Sequence, residues 1–174
     1  MPEYQYEPGS FRDRNGRIFY TNGKTFRSLS ETALANWKML LGTQFFSDKI
    51  KAGKIIATQQ ANDIVVNSDS DNMWAAYLIH QTIPFISYPY EWSFSMLKDA
   101  ALLHLDLLFD ALEENMILKD SSAYNVQWTG VNPVFIDIPS FEALPAGEPW
   151  VGYRQFCQLF LYPLLLQAYK DIDF

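Results

Sequence analysis

The stretch "MILKDSSAYNVQWTGVNPVFIDIPSFE", residues 116–142, decides how this chain is interpreted. It places Asp120, Asn125 and Asp137 after apolar runs, among residues that favour turns. Carboxylate and amide oxygens are also the ligands that hard cations such as Mg²⁺ prefer. Two interpretations follow. The segment is either a turn whose Asp, Ser and Asn side chains bond their own backbone, or a set of oxygen ligands around a metal ion and a phosphate.

Length and composition limit the classes of protein to which this chain can belong. The chain has 174 residues, of which 49% are hydrophobic and 16% aromatic, so we expect one globular domain or two small lobes that share a core. A net charge of -7 argues against nucleic acid and against an anionic membrane surface as partners. The single cysteine, Cys157, excludes an internal disulfide and fits a reducing cytoplasm. The polar N-terminus does not resemble a secretory signal.

The first half of the chain predicts strands and short helices. Asn22-Gly23 is a dipeptide suited to a tight hairpin turn, and Ser28 with Glu31 resembles a capping box at the start of a helix. The predicted elements are strands at 17–21 and 24–29, a helix that stops at Gly42, a helix near 44–53, strand-like runs at 54–58 and 63–66, a surface loop at 67–72, and a strand with an aromatic connector at 83–92.

The second half predicts a long helix capped by Ser93 and running to about Asn115. Leucines and alanine at helical spacing predict that this helix is central and largely buried; they are Leu97, Ala101, Leu105, Leu108 and Leu112. A strand is expected at 133–138, and a final helix at about 150–170 that Pro163 should kink or break.

The order of these elements and the opening stretch resemble the catalytic core of protein kinases and of the aminoglycoside and choline kinases. In those families a long helix leads to a D-x-x-x-x-N loop, and a short hairpin then presents a metal-binding Asp. By that resemblance Asp120 is the catalytic base, and Asn125 and Asp137 are magnesium ligands. The implied fold is α+β and protein-kinase-like, with a small strand-rich N-terminal lobe at 1–92 and a helical C-terminal lobe at 93–174.

The resemblance also implies ATP and Mg²⁺ as cofactors and phosphotransfer to a small-molecule or carbohydrate-type substrate. Tyr88 and Tyr90 are candidates to stack on adenine, although aromatic residues near proline also serve in simple packing. Lys119 is either a surface charge or a phosphate contact. His104, within the long helix, is predicted to be a partly buried side chain with its hydrogen bonds satisfied and not a catalytic base. A zinc site at His80 is not expected, since no second histidine or cysteine stands at ligand spacing.

Several departures from the kinase pattern support a second hypothesis. The turn "YTNGKT" contains only one glycine, Gly23, and Ile138-Pro139 follows the metal-type Asp137. The lysine that should hold the nucleotide phosphates is unassigned among Lys24, Arg27, Lys51 and Lys54. The alternative is therefore a catalytically inactive, pseudokinase-like module that positions a substrate or partner.

A broader resemblance covers nearly the whole chain. The runs "YPYEWSFSMLKDAALLHLDLLFDALEENMILKDSSAYNVQW" and "PVFIDIPSFE" look like the N-terminal region of bacterial class I S-adenosylmethionine-dependent methyltransferase proteins, some of them nodulation proteins. No glycine-rich turn for that cofactor occurs here, so methyl transfer and S-adenosylmethionine are expected only in an attached domain. The apolar ending "LYPLLLQAYKDIDF" fits a truncated fold with further protein packed on it.

Overall fold

The computed structural model describes residues 4–10, 13–62, 74–170 and 172. The strand predicted at 63–66 and the loop predicted at 67–72 lie outside these residues.

A five-stranded antiparallel sheet occupies the first half of the chain. Its strands are β1 (Gln5–Tyr6), β2 (Ile18–Thr21), β3 (Lys24–Leu29), β4 (Thr58–Gln60) and β5 (Ala76–His80), in the spatial order β1-β2-β3-β5-β4. Asn22 and Gly23 have φ angles of 51° and 70°, the positive values that a tight hairpin turn requires. The predicted β2–β3 hairpin is confirmed, whereas β1 was not predicted because two residues carry no periodic signal.

Two helices follow β3, and the cap of the first differs from the prediction. Helix α1 (Glu31–Leu41) is capped by Ser30, whose Oγ accepts a hydrogen bond from the backbone N–H of Ala33. The capping role predicted for Ser28 is wrong, because Ser28 lies in β3 and its Oγ accepts from the backbone N–H of Arg17 instead. The predicted stop at Gly42 is confirmed, and helix α2 (Gln44–Lys51) comes next.

The strand predicted at 83–92 is displaced. The strand β5 ends at His80, and an irregular segment then leads to a single 3₁₀ turn at Pro89–Glu91. Pro84 and Pro89 explain the failure, since proline removes a backbone donor from a strand ladder. The long helix α3 (Phe94–Glu113) follows, with the predicted Ser93 cap confirmed by a hydrogen bond from the N–H of Met96.

Helix α3 is buried on one side only. Leu97, Ala101 and Leu108 are buried as predicted, but Leu105 and Leu112 are exposed. His104 lies on the buried side, fully enclosed, and neither ring nitrogen has a hydrogen-bond partner. Its ring packs among aromatic side chains with centroids 5.8–6.1 Å away, namely Phe135, Trp150, Phe156 and Phe160. His104 is therefore a structural residue, but the prediction of a partly buried side chain with satisfied hydrogen bonds is wrong, because the ring is fully buried among aromatic side chains.

Two small antiparallel pairs follow α3. They are β6 (Met116–Leu118) with β9 (Phe141–Ala143), and β7 (Val126–Thr129) with β8 (Asn132–Phe135). The predicted strand at 133–138 is confirmed only as far as Phe135, since residues 138–140 form a 3₁₀ turn that contains Pro139. This early end of β8 leaves Asp137 on a turn.

The last helical segment has three parts: α4 (Tyr153–Phe156), a π-helical stretch at Cys157–Leu161 and α5 (Tyr162–Lys170). The wider π turn ends at Leu161, two residues before Pro163, whose ring would clash with a carbonyl one regular turn earlier. Cys157 is buried, in agreement with its prediction as a structural thiol.

One buried cluster joins both halves of the chain, including Leu29 and Trp37 from the first and Leu107 and Phe135 from the second. A short parallel bridge also connects them: the N–H of Ile56 donates to the carbonyl of Phe135, and the N–H of Phe135 donates to the carbonyl of Lys54, both at 2.9 Å. We call these two bonds the 54–56/135 bridge. Among the described residues, no helix is long and apolar enough to cross a membrane.

Candidate functional site

A cleft of about 280 Å³ lies against the five-stranded sheet. Five of its lining residues are isoleucines and six have polar side chains; the lining comprises Ile18, Tyr20, Gly23, Thr25, Arg27, Ile56, His80, Gln81, Thr82, Ile83, Ile86 and Ile136. A concave cleft that combines apolar walls with polar groups is the usual form of a small-molecule site, and the volume of this one lies just below the usual range. Ile136 directly precedes Asp137, so the predicted metal-type residue lies beside the cleft.

Both carboxylate oxygens of Asp137 have partners from the chain itself. Oδ1 lies 2.8 Å from Nη2 of Arg27, and Oδ2 accepts a 2.5 Å hydrogen bond from the hydroxyl of Ser140. The 3₁₀ turn at residues 138–140 causes the second contact, since it brings Ser140 back over the residue that starts the turn. Asp137 is thus held in one orientation by a cation and a hydroxyl.

Arg27 supplies that cation from β3. Its side chain is 9% exposed and also approaches Oδ2 of Asp13 at 3.6 Å, in the connection between β1 and β2. Its Nε is buried without a hydrogen-bond partner. Arg27 therefore joins two carboxylates that are far apart in sequence.

The other three cations left open by sequence lie elsewhere. Lys24 is exposed beside the hairpin turn, Lys51 pairs with Asp48 within α2, and Lys54 lines a groove beside α3. Arg27 is the one of the four that reaches Asp137. Sequence could not separate them, because the choice depends on how segments that are distant in sequence pack around Asp137.

Asn125 lies next to Asp137 through Ser140. The Nδ2 of Asn125 donates to the Ser140 hydroxyl at 3.4 Å, and the Asn125 carbonyl accepts from the N–H of Ile136 at 2.8 Å. The structure therefore brings together the two predicted metal ligands. Ser140 was not among the predicted site residues, although its place three residues after Asp137, beyond Pro139, was a usable turn signal.

The side chain of Asp120 stabilises the turn in which it lies. Its Oδ1 accepts from the backbone N–H of Ser122 at 3.0 Å, and Ser122 in turn accepts from the N–H of Tyr124. Neighbouring Lys119 forms a 3.4 Å ion pair with Glu142, across the β6–β9 pair. Neither side chain bonds to Asn125 or Asp137 in the part of the chain that the structure describes.

The tyrosines predicted to stack on a ring form an exposed cluster. The rings of Tyr88 and Tyr90 are stacked with centroids 5.5 Å apart and an interplanar angle of 5°, and Tyr124 lies 6.5 Å from Tyr88. All three are exposed. The stacking partner of Tyr88 is thus Tyr90 itself, and neither residue is in the lining of the cleft.

His80 is a cleft residue whose role the sequence did not reveal. Its Nδ1 is 2.9 Å from the hydroxyl of Thr58, and its Nε2 is shielded from solvent without a partner. Burial, with a further contribution from the charge of Arg27, lowers the pKa of His80 to about 3. At neutral pH the imidazole is therefore uncharged, which avoids a second buried cation beside Arg27.

Tyr20 also lines the cleft, and its hydroxyl donates a hydrogen bond to Oε2 of Glu7 at 2.9 Å. Burial, together with this hydrogen bond, raises the pKa of Tyr20 to about 12, so the phenol stays protonated.

Within the described ranges, no group of three or more histidine, cysteine or acidic residues could hold a metal ion.

Comparison with known proteins identifies a similar protein and a similar fold. No protein-family model matches the chain. Nodulation protein NoeA from Rhizobium meliloti (strain 1021) is 36% identical over 164 residues, which make up 94% of this chain and 34% of that protein. The chain thus spans about a third of the length of this relative.

A solved structure of vaccinia related kinase 3 superposes with a TM-score of 0.52, covering 87% of this chain and 52% of that one at 12% identity. The chain has a protein-kinase-like fold. The predicted α+β fold class is confirmed at this level, while a closer likeness to aminoglycoside or choline kinases stays a prediction.

The kinase-like fold allows the strand position of Arg27 to be compared with that of a residue in kinases. Protein kinases carry a phosphate-binding lysine on their third strand, paired with a glutamate of the next helix. Here the third strand carries Arg27, and the one acidic residue of α1 is Glu31, exposed in its first turn. The β1–β2 connection, where kinases cover the phosphates with a glycine-rich loop, supplies Asp13 to Arg27. The antiparallel pair β1–β2 precedes the hairpin that turns at "YTNGKT", so the first strand connection of the chain is β1–β2 and not that turn.

Proposed function

We propose that this chain is a kinase-fold recognition module that performs no phosphoryl transfer and positions a substrate or partner for a larger polypeptide. The observation that carries the proposal is the 2.8 Å ion pair between Arg27 and Asp137. In kinases this carboxylate binds Mg²⁺ against the nucleotide phosphates. In this chain a fixed guanidinium takes the place of the metal charge.

The neighbouring groups support this proposal. Mg²⁺ needs oxygen ligands in near-ideal octahedral geometry at about 2.1 Å, but Arg27 and Ser140 engage both oxygens of Asp137. A cation at Asp137 would also be repelled by the guanidinium of Arg27. The residues present therefore do not fit a resident divalent cation while this ion pair persists.

The Asp120 carboxylate also favours a structural role. It bonds to the N–H of Ser122 two residues ahead, the pattern of an Asp that stabilises its own turn. A catalytic base must reach the proton that it removes. In the proposed module Asp120 shapes the loop that carries Asn125.

The larger polypeptide is inferred from the relative, of which this chain matches about a third. We propose that the remainder includes a methyltransferase domain that binds S-adenosylmethionine, as the sequence resemblance implies. The buried single thiol of Cys157 fits the proposed cytoplasmic location. A recognition role would need only the surfaces of this domain and no chemistry in its cleft.

Calorimetric titration of the 174-residue chain with ATP, with and without Mg²⁺, tests the proposal. We expect no magnesium-dependent binding. Saturable magnesium-dependent binding that is lost in Asp137→Ala and kept in Asp48→Ala, a variant of an exposed carboxylate on α2, would overturn it. The Asp48 variant separates a specific site from a general loss of negative charge.

Magnesium-dependent ATP binding, with phosphotransfer to a small molecule or carbohydrate, is the second candidate function. It is favoured by the convergence of Asn125 and Asp137 beside a cleft that Arg27 also lines. In this candidate, phosphate oxygens replace the carboxylates on Arg27, and Asp120 orients the acceptor hydroxyl. Tyr88, Tyr90 and Lys119 would then contact the nucleotide only after moving from their present partners.

A further inference from the structure

Helix α3 carries an exposed apolar stripe on the side that faces away from the core. Its members are 39–64% exposed and follow one another at spacings of three and four residues; they are Leu102, Leu105, Phe109 and Leu112. This alternation is the a/d pattern by which two helices pack along a seam. A soluble helix normally turns such a stripe toward its own core, and α3 already has a separate buried side.

Three members of the stripe, Leu102, Leu105 and Phe109, line an open groove of about 680 Å³. Residues at the tip of the β7–β8 hairpin also line the groove, namely Val131, which is 85% exposed, and Pro133. An apolar ridge beside an apolar hairpin tip can accept a second helix along α3. The groove lies apart from the cleft, since their linings share no residue.

Acidic side chains run along one edge of the stripe. At about 100° per residue, the acids occupy the sector next to the leucines; they are Asp99, Asp106, Asp110 and Glu113. Lys49 neutralises part of this charge through 2.7 Å contacts to Asp106 and Asp110, and Lys54 lies in the groove. Lys98 is exposed within the sector of the stripe, and Asp99 and Glu113 remain exposed at its two ends. Four carboxylates thus face three lysines, so the edge is net negative.

We propose that this groove binds an amphipathic helix of a partner polypeptide, whose apolar seam is flanked by lysine or arginine. Apolar residues of the partner would cover the α3 stripe, and its basic residues would face the acidic edge, as flanking charges do in coiled coils. A second copy of this chain fits less well, because a two-fold pairing along the seam would place acidic edges near one another. The proposal does not depend on the ligand of the cleft or on the proposed absence of phosphoryl transfer.

The probe is a fluorescent synthetic peptide of about three heptads, with leucine at the a and d positions and lysine at the flanking positions. Two matched peptides accompany it: one with glutamate in place of the lysines, and one with the basic composition scrambled so that no stripe forms. Fluorescence anisotropy against the 174-residue chain gives the three affinities. We expect the glutamate and scrambled peptides to bind at least tenfold more weakly than the basic amphipathic one.

Variants of exposed residues locate the site. Phe109→Asp should weaken binding of the basic peptide at least tenfold, whereas Met39→Asp, at an exposed apolar position of α1, should leave it unchanged. The double variant Asp99→Lys with Glu113→Lys should prefer the glutamate peptide. Circular dichroism confirms that each variant keeps its helix content.

Three results would overturn the proposal. The first is equal binding of the basic and scrambled peptides, which would indicate only a general attraction to an acidic protein. The second is binding that Phe109→Asp does not change. The third is a concentration-dependent dimer in sedimentation that Phe109→Asp abolishes, since the occupant would then be a second copy of the chain.

Discussion

The ion pair between Arg27 and Asp137 should contribute measurably to stability, and a double-mutant cycle can isolate that contribution. At their 2.8 Å separation the opposite charges attract by about 6 kcal/mol in a medium of effective dielectric near 20. Desolvation offsets much of this, since the Arg27 side chain is 9% and the Asp137 side chain 20% exposed. Hydrogen bonds to charged groups retain about 1.5–3 kcal/mol.

The two single variants should lose different amounts of unfolding free energy. Arg27→Met leaves a carboxylate that water can reach and that Ser140 still binds, so we expect a loss of about 2 kcal/mol in unfolding free energy. Asp137→Asn leaves a nearly buried guanidinium with Asp13, at 3.6 Å, as its remaining acidic partner, for which we expect about 3 kcal/mol. The double variant should cost no more than the larger single loss, which gives a coupling energy of about 2 kcal/mol.

Urea unfolding monitored by circular dichroism provides the four free energies of the cycle. The matched control is a cycle on Lys51 and Asp48, an exposed pair at 3.6 Å, for which we expect a coupling below about 0.5 kcal/mol. A coupling energy for Arg27 and Asp137 no larger than that of the control would refute the reasoning. The two residues would then be neighbours without an energetic link.

Three further predictions concern the same fold. Arg27→Met frees Asp137 and should make the melting temperature rise with added Mg²⁺, a rise absent in wild type and in the double variant with Asp137→Asn; a Mg²⁺ response in that double variant would contradict it. Burial lowers the pKa of His104 to about 4 in the folded state. As pH falls below about 6.5 the unfolded chain therefore binds a proton before the folded chain does. Between that pH and the folded-state pKa, the unfolding free energy falls by about 1.4 kcal/mol per pH unit. His104→Phe should therefore show a smaller loss of unfolding free energy between pH 7 and pH 5 in urea titrations, and an unchanged loss would count against this assignment. A Cβ at Gly16 would lie 2.1 Å from the carbonyl oxygen of Ser28, so Gly16→Ala should lower the unfolding free energy by about 1–3 kcal/mol, whereas Gly9→Ala, where the nearest atom is 3.7 Å away, should not.

Local signals were sufficient to predict much of the fold. The Asn22-Gly23 turn and the Ser93 cap act within a few residues, so the sequence alone locates them. Ser28 failed as a cap because strand pairing with β5 extends β3 to Leu29 and leaves Ser30 at the helix start. The decision between two nearby serines depended on a strand far away in sequence.

The candidate site was predictable in its residue types and not in its pairing. Asn125 and Asp137 lie close together, as the resemblance implied, because β7 and β8 form a hairpin that returns the chain. The contact of Asp137 with Arg27 depends on how β3 packs beside the turn at residues 138–140, a relation between distant segments. The same limit applies to Leu105, since helical spacing gives the faces of α3 but not how much protein covers each.

The 54–56/135 bridge has a mechanical consequence for the cleft. Its two backbone hydrogen bonds tie the segment after α2 to the end of the strand that precedes Asp137. Rotating the sheet away from that strand would break both bonds and would open the buried contacts of Ile55 and Phe135. Breaking each bond adds about 1 kcal/mol to the free energy that this rotation requires. The exposure of apolar surface adds a further cost. The mouth of the cleft should therefore keep a fixed width. It would select molecules by their size and would not change its shape to fit them.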